Sequence, residues 1–255
     1  MKLDPRAAAA GVLLRTHDVL DSTNAEGMRV ARDYHSPLWI TAERQMTGRG
    51  RHGRTWASPR GNLFASLLLR AAGPIEKLPQ LSFVAALAVY DATIDGAPTL
   101  KPRLAIKWPN DLLIGRAKFA GILIESDVHA GAVIGIGVNC ATHPADTEYP
   151  VTDLAAAGAA VLPETLFVAL SAAMLDRLRQ WNRGAGFASI RADWLARAIG
   201  RGQEIRVRLP DRDIVGRFET LDHAGSLVLR SRNGDSVKVS AGEVLLPSGT
   251  ARQAG

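Results

Sequence analysis

Residues 48–54 read Gly-Arg-Gly-Arg-His-Gly-Arg. Nothing in that run can build a core, but it is well made for holding an anion. Glycine lets backbone N–H groups approach an oxyanion closely and reach positive φ. Arginine offers a planar fork of donors to a carboxylate or phosphate. The run is not a P-loop, because no Gly-Lys-Ser/Thr ending follows, and its glycine spacing is read as wrong for a Rossmann dinucleotide fingerprint. On its own the loop is open to three readings: a phosphate cradle, a solvated basic loop, or an Arg-Gly-rich nucleic-acid segment. Strands expected on both sides favour a positioned site. A second cluster, Lys107-Trp108-Pro109-Asn110-Asp111, puts a cation, an aromatic face, an amide and a carboxylate within five residues. It reads either as a strand end with a Pro-Asn-Asp turn or as a holder for a nucleotide and its Mg2+. Lys118 stands near the start of an apolar strand, where a lysine needs a reason to be.

The elements that must carry these groups follow from periodicity and breakers. Ser22, Thr23 and Asn24 are all good helix N-caps, and Glu26 stands three after Thr23 at capping-box spacing. A helix is expected from there to about Asp33. Strands are expected over 38–45 and 63–69, the second fed by a Pro-Arg-Gly-Asn turn. Residues 78–95 have apolar side chains at helical spacing. Residues 103–126 read as two strands joined near Gly115, the first broken at Pro109-Asn110-Asp111. Residues 130–140 form another strand, 141–158 a polar loop, and 163–184 and 187–200 two helices. From Gly202 the texture changes to four or five short alternating strands, with an Asn233-Gly234 turn, which suggests a small barrel. The fold class expected is α+β: a mixed-sheet unit over residues 1–200 and a small all-β unit over 201–255. Regular βαβ alternation is missing, which argues against a doubly wound fold.

The chain has 255 residues, a net charge of +6 and one cysteine. The charge suits an anionic partner. One cysteine excludes an internal disulfide and a multi-cysteine metal site. Cys140 ends a glycine-rich apolar run and reads as a buried small residue. The apolar run near the N-terminus is too short to span a membrane and lacks the marks of a signal peptide. A cytoplasmic protein without membrane contact is expected.

The ordered series of motifs resembles biotin protein ligases. It comprises Asp-Ser-Thr-Asn at 21–24, the stretch from Ala42 through the glycine–arginine loop to Trp56, Ser-Pro-Arg-Gly-Asn at 58–62, the Lys107–Asp111 cluster, Lys118 to Ser126, and Ile134 to Asn139. The resemblance covers residues 18–139, and the tail has the place and texture of that family's small SH3-like unit. It implies a class II synthetase-like catalytic fold and a two-step reaction: biotin and MgATP give biotinyl-5′-AMP, and a lysine of a biotin carboxyl carrier domain then takes the biotin. It further implies that Ser22, Thr23, Asn24, Gln45, Gly48, Arg49, Gly50, Arg51, Lys118, Gly121 and Leu123 bind biotin. Arg51, Arg54, Trp56, Lys107, Asn110, Asp111, Lys118 and Asn139 would serve ATP, with Asp111 as the Mg2+ ligand and Lys118, Arg49 and Arg51 as the catalytic cations. Loops 48–54 and 142–153 are expected to order over the intermediate. Many relatives carry arginine where this chain has His52, so the role of that position stays open.

Too little chain precedes Asp18 for a DNA-binding unit, so no repressor function is expected. A homodimer is left open. One rival is a lipoate ligase or octanoyltransferase of the same fold, against which the pair of basic motifs argues. The other is a nucleic-acid-binding protein. Sparse aromatic residues and the lack of a basic stripe argue against it.

Overall fold

The structure is a computed structural model that describes residues 1–127 and 131–246. The end of the expected C-terminal unit, 247–255, lies outside the described residues. A short helix, α1 (Pro5–Ala9), leads into a seven-stranded sheet. Its strands are β1 (Leu13–Leu20), β2 (Leu38–Gln45), β3 (Leu63–Leu69), β4 (Leu104–Lys107), β5 (Asp111–Ile114), β6 (Ala117–Asp127) and β7 (Gly131–Val138). They lie in the order β1-β2-β3-β7-β6-β5-β4. The crossover helix α2 (Thr23–Val30) joins β1 to β2, which are parallel. The other neighbours are antiparallel, giving the mixed sheet and α+β class expected.

Two elements differ from the sequence reading. β1 has no counterpart among the expected elements: it is an edge strand in which no residue is buried, so it lacks a clear apolar alternation. Residues 104–127 form three strands, not two. The Pro109-Asn110 step is the turn of a β4–β5 hairpin, with a cis Trp108–Pro109 peptide, and it sets Lys107 directly across from Asp111.

Strand alternation sorts the residues onto two faces. On one face Leu63, Ala65 and Leu67 of β3, and Ile134 and Ile136 of β7, enter the main core. The helices α3 (Leu81–Gly96), α4 (Pro163–Trp181) and α5 (Phe187–Leu195) cover that face. α3 is buried on nearly every side, as a helix apolar all round should be. Trp39 meets Phe167 edge-to-face at 5.4 Å, and Phe83 meets Phe187 and Trp194 at 5.6 and 5.5 Å. Each such side chain contributes about 1.5–3 kcal/mol through burial.

The opposite face is only half covered. α2 lies over one part and closes a small core of Ala31, Leu38, Ile40, Leu68 and Val133. Beyond it the same face continues through Ser66, Gly135, Gly137 and Gly121, which carry too little side chain to fill the space. The candidate site lies here.

The C-terminal strands β8 (Glu204–Arg208), β9 (Asp213–Leu221), β10 (Leu227–Arg230), β11 (Ser236–Val239) and β12 (Glu243–Leu245) form an antiparallel sheet in the order β11-β10-β9-β8-β12. Its inner residues, such as Ile205, Val207 and Phe218, continue the main core. Trp108, 2% exposed, donates its indole N–H to the Gly225 carbonyl at 3.2 Å. A Cβ at Gly225 would lie 2.7 Å from the Phe83 ring, so this contact needs a glycine. The docking brings the start of β12 to the edge of the cleft. No helix among the described residues is long and apolar enough to cross a membrane.

Candidate active site

A polar wall is built by the first turn of α2 and the end of β2. Ser22 caps the helix, its hydroxyl oxygen accepting the Ala25 N–H at 3.4 Å. The expected Thr23–Glu26 capping box is therefore not used, and Thr23 and Asn24 face the cleft. Thr23 donates its backbone N–H (2.8 Å) and its hydroxyl (3.1 Å) to Gln45 Oε1. Gln45 Nε2 donates to Ser58 Oγ at 2.9 Å. Asn24 is 4% exposed. Its Oδ1 lies 2.6 Å from the Ser66 hydroxyl, and its Nδ2 donates to Glu125 at 2.7 Å and to the Leu123 carbonyl at 3.3 Å. Such a wall offers fixed donors and acceptors to a neutral polar group.

A cationic cluster stands at the β4–β5 end. Asp111 receives Lys118 Nζ at 2.6 Å and Lys107 Nζ at 3.1 Å, and the three side chains are only 12–14% exposed. A register shift between Leu112 and Leu113 brings Lys118 into this position. Burial pushes the Asp111 carboxyl up, but Lys118 and then Lys107 more than offset this and hold it below the ordinary carboxylate value. The Lys118 ammonium lies 5.4 Å from the Trp56 ring and 5.6 Å from that of Tyr149, within cation–π range.

The glycine–arginine loop closes over both groups. Arg49 pairs with Thr55 across it, and the Gly50 N–H donates to the Arg54 carbonyl at 2.7 Å. His52 and Gly53 form its tip at φ 56° and 72°. Gly48, Gly50 and Gly53 do fall at Gly-x-Gly-x-x-Gly spacing. No α-helix opens behind them, however: a single 3-10 turn, Arg51–Gly53, precedes β3. The dinucleotide fingerprint requires a helix N-terminus there.

The three arginines of the loop have different partners. Arg49 Nη2 lies 3.2 and 3.3 Å from the Glu125 carboxylate. Arg54 makes a fork to Glu243 at 2.9 and 2.7 Å. Arg51 donates to Asn110 Oδ1 at 3.1 Å and to the Gly242 carbonyl at 3.5 Å. It has no carboxylate at ion-pair distance among the described residues. Burial lowers the Arg51 pKa, while Asp111 and Glu243 act in the other direction.

The floor is sheet backbone. Trp56 lies flat on it: a Cβ at Gly137 would come within 2.5 Å of the indole, and one at Gly121 within 3.1 Å. The buried Trp56 Nε1 has no hydrogen-bond partner among the described residues. The empty space of the cleft amounts to about 920 Å³, with its open mouth included.

A family model described as "Biotin/lipoate A/B protein ligase family" matches residues 16–139, and one described as "Biotin protein ligase C terminal domain" matches 201–246. A biotin–[acetyl-CoA-carboxylase] ligase from Paracoccus denitrificans is 42% identical over 234 residues, covering 88% of this chain and 96% of that protein. The chain belongs to the biotin protein ligase family. Its relatives include a ligase of the same description from Mycobacterium tuberculosis, 35% identical over 210 residues, or 81% of this chain and 77% of that one. The fold matches a biotin protein ligase from Aquifex aeolicus, solved with biotin and ATP, at a TM-score of 0.76 and 24% identity, covering 91% of this chain and 97% of that chain.

In this member of the ligase family, most residues expected from sequence meet in one cleft. Thr23, Asn24, Gln45, Arg49, Arg51, Lys107, Asn110, Asp111 and Lys118 all line it, with Ser22, Gly50, Arg54, Trp56, Gly121 and Leu123. Two do not. Gly48 lies outside the lining, and a Cβ there would come within 2.4 Å of Ser58 Oγ and 2.5 Å of the Trp56 carbonyl, so it permits close backbone packing. Asn139 is buried and donates to the Thr152 carbonyl at 3.1 Å, which ties down the end of the 141–153 loop. Cys140 is buried as expected, its thiol pushed up to about 12 by burial.

Sequence reading missed Ser66, Glu125, Gly135, Gly137, Tyr149 and Glu243. For the two glycines a signal existed. Gly135 and Gly137 alternate in "IGIGV", and glycines two apart share one face of a strand.

The Arg54–Glu243 fork ties the second sheet to the arginine loop and has a measurable pH signature. Arg54 holds the Glu243 carboxyl below its ordinary 4.5. A depressed carboxyl stabilises the folded state above the unfolded pKa, and that stability is lost as pH falls through the folded one. Glu243→Gln is therefore expected to cost up to about 1 kcal/mol at neutral pH, a figure limited by solvent at Arg54. Urea unfolding should show the gap between wild type and variant closing as pH falls below about 4.5.

Proposed function

We propose that this chain is a biotin protein ligase acting in two steps. The biotin carboxylate oxygen attacks the α-phosphorus of ATP, forming biotinyl-5′-AMP and expelling pyrophosphate. A carrier lysine amine then attacks the acyl carbon, forming the amide and releasing AMP and a proton. The macromolecular acceptor is a biotin carboxyl carrier domain of a biotin-dependent carboxylase. The carrying observation is the convergence of Arg51, Lys107 and Lys118 beside a neutral polar wall in one glycine-floored cleft.

The first step brings two anions together, so fixed cations and positioning must supply the catalysis. In this reading Thr23, Asn24 and Gln45, with the Ser22 cap behind them, receive the neutral ring of biotin, and Gly121 and Leu123 underlie it. Lys118 and Arg51 face the carboxylate and the transferring phosphoryl group, with Arg49 at the opposite wall. Lys107 and Asn110 serve the nucleotide, Arg54 orients the loop through Glu243, and Trp56 offers a ring face to a base. Asn139 acts through the loop it ties down.

Among the described residues no cluster of three or more potential ligands could hold a metal by itself. The largely buried carboxylate of Asp111 in the cleft nonetheless suits the mode in which Mg2+ is held by one or two carboxylates plus substrate phosphates. There Mg2+ would offset phosphate charge. Residues 1–200 are proposed as the catalytic unit, and 201–255 as a smaller unit that reaches the site through Gly242 and Glu243.

The deciding test is incorporation of labelled biotin into a carrier domain, with and without ATP, and with lipoate as competitor. ATP-dependent labelling that lipoate does not suppress supports the reading. Labelling that is absent or lipoate-sensitive would count against it. Arg51→Ala removes the half-buried cation that has no carboxylate at ion-pair distance among the described residues. It should speed biotinyl-AMP release by about 10- to 100-fold, on the scale of a charge-assisted hydrogen bond, as read by a pulse-chase of the preformed intermediate.

A further inference from the structure

Five cations line the cleft, Arg49, Arg51, Arg54, Lys107 and Lys118, and among the described residues three carboxylates hold four of them: Asp111 and Glu243 within the lining, and Glu125 just outside it. Asp111 sits between the two lysines, and Glu243 is held by Arg54 from the second sheet. Glu125 differs in its surroundings. It lies on β6, on the face of Gly121 and Leu123, and it holds Arg49 by a single Nη2 group at 3.2 and 3.3 Å. Its own position is set from behind. Asn24 Nδ2 donates to it at 2.7 Å, and Asn24 is fixed by Ser66 and packed so tightly on Gly135 that a Cβ there would lie 2.3 Å from Asn24 Oδ1. A buried relay thus presents a carboxylate to the first arginine of the loop. That carboxylate is chemically the same group as the reactive end of biotin.

We infer that Glu125 is a built-in competitor for the substrate carboxylate, holding Arg49 until a more highly charged group draws it away. This rests on the biotin-activating reading above. Exchanging one carboxylate for another gains Arg49 almost nothing, so the arginine does not tighten binding of the substrate itself. The transferring phosphoryl group carries more charge and outcompetes Glu125, so the Arg49 interaction is reserved for the adenylate and the transition state leading to it. Interactions of that kind raise turnover, whereas uniform binding does not. Glu125 is thus a positioning residue that acts through Arg49.

The test compares biotin with biotinamide, which keeps the ring system and lacks the charge, by titration calorimetry on the full chain without ATP. In Glu125→Gln, Arg49 is released. Biotin should then tighten relative to biotinamide by about two- to fivefold, the range for a partly exposed ion pair. The KM for biotin should fall by a similar factor, and kcat should not rise. The shift should vanish in an Arg49→Gln background, where there is no arginine to release. Glu125→Asp, which keeps the charge but shortens the reach, should move the ratio the same way and covers the case in which the Gln variant does not fold. A biotin-to-biotinamide ratio that is unchanged or lowered in a folded Glu125 variant overturns the inference, as does a shift that persists without Arg49. Wild-type protein that binds neither probe would instead overturn the proposed function itself.

Discussion

Lys118→Ala should slow adenylate formation by about two to three orders of magnitude while leaving the protein folded. The magnitude is that of losing one preorganised charge-stabilising group from a site where charge develops. Lys118 is the natural candidate for it. Its ammonium is 2.6 Å from Asp111 and is flanked by the Trp56 and Tyr149 rings, and the side chain is 13% exposed, so its position is fixed before any ligand arrives. The fold should survive because Asp111 keeps Lys107 at 3.1 Å, which avoids leaving a buried carboxylate wholly unpaired. Biotin-dependent pyrophosphate exchange measures the first step, and circular dichroism melting measures the fold. A folded variant with near-normal exchange would remove Lys118 from the chemistry.

Gly135→Ala should weaken biotin binding on the order of 100-fold, about the cost of stranding one or two buried hydrogen-bonding groups. The new methyl would meet Asn24 Oδ1 at 2.3 Å. Asn24 cannot simply swing aside, because Ser66, Leu123 and Glu125 hold it. Either the polar wall loses its amide or the sheet shifts. Calorimetric titration reads the loss. Unchanged affinity in a folded variant would mean that the wall around Asn24 does not meet the ligand.

These two expectations differ in how far the sequence could have led to them. Lys118 was legible as an oddity, a lysine entering an apolar strand. Gly135 shows only as one of two glycines alternating along a strand, and its importance depends on what sits above the sheet. The same division runs through the fold. β2 and β3 are readable because β3 is a nearly continuous apolar run after a turn and β2 opens on one after Pro37. β1 is not legible because an edge strand buries too little to show a pattern. The 104–127 region was read one strand short because Pro-Asn-Asp looks like an interruption, whereas in space it is the hairpin turn that sets Lys107 across from Asp111. Within the second cluster Trp108 reads from sequence as an aromatic face. In the structure its indole N–H is committed to Gly225, and the ring on the glycine floor is that of Trp56.

The sequence by itself determined the chemistry of the site: the donors for an anion, two separate lysines, the carboxylate of the second cluster, and the change of texture near residue 201. These are properties of residue types at short spacing, and local physics suffices to read them. Only the tertiary structure decided which charges are already paired. Glu125 and Glu243 stand 76 and 189 residues from the arginines they hold, and no periodicity links positions so far apart. Their pairing follows from sheet register and from the docking of the second sheet, both set by burial of apolar surface across the whole chain. Arg51 keeps no carboxylate because the loop meets an amide and a carbonyl there. Which cation remains available to a ligand is therefore a property of the assembled fold.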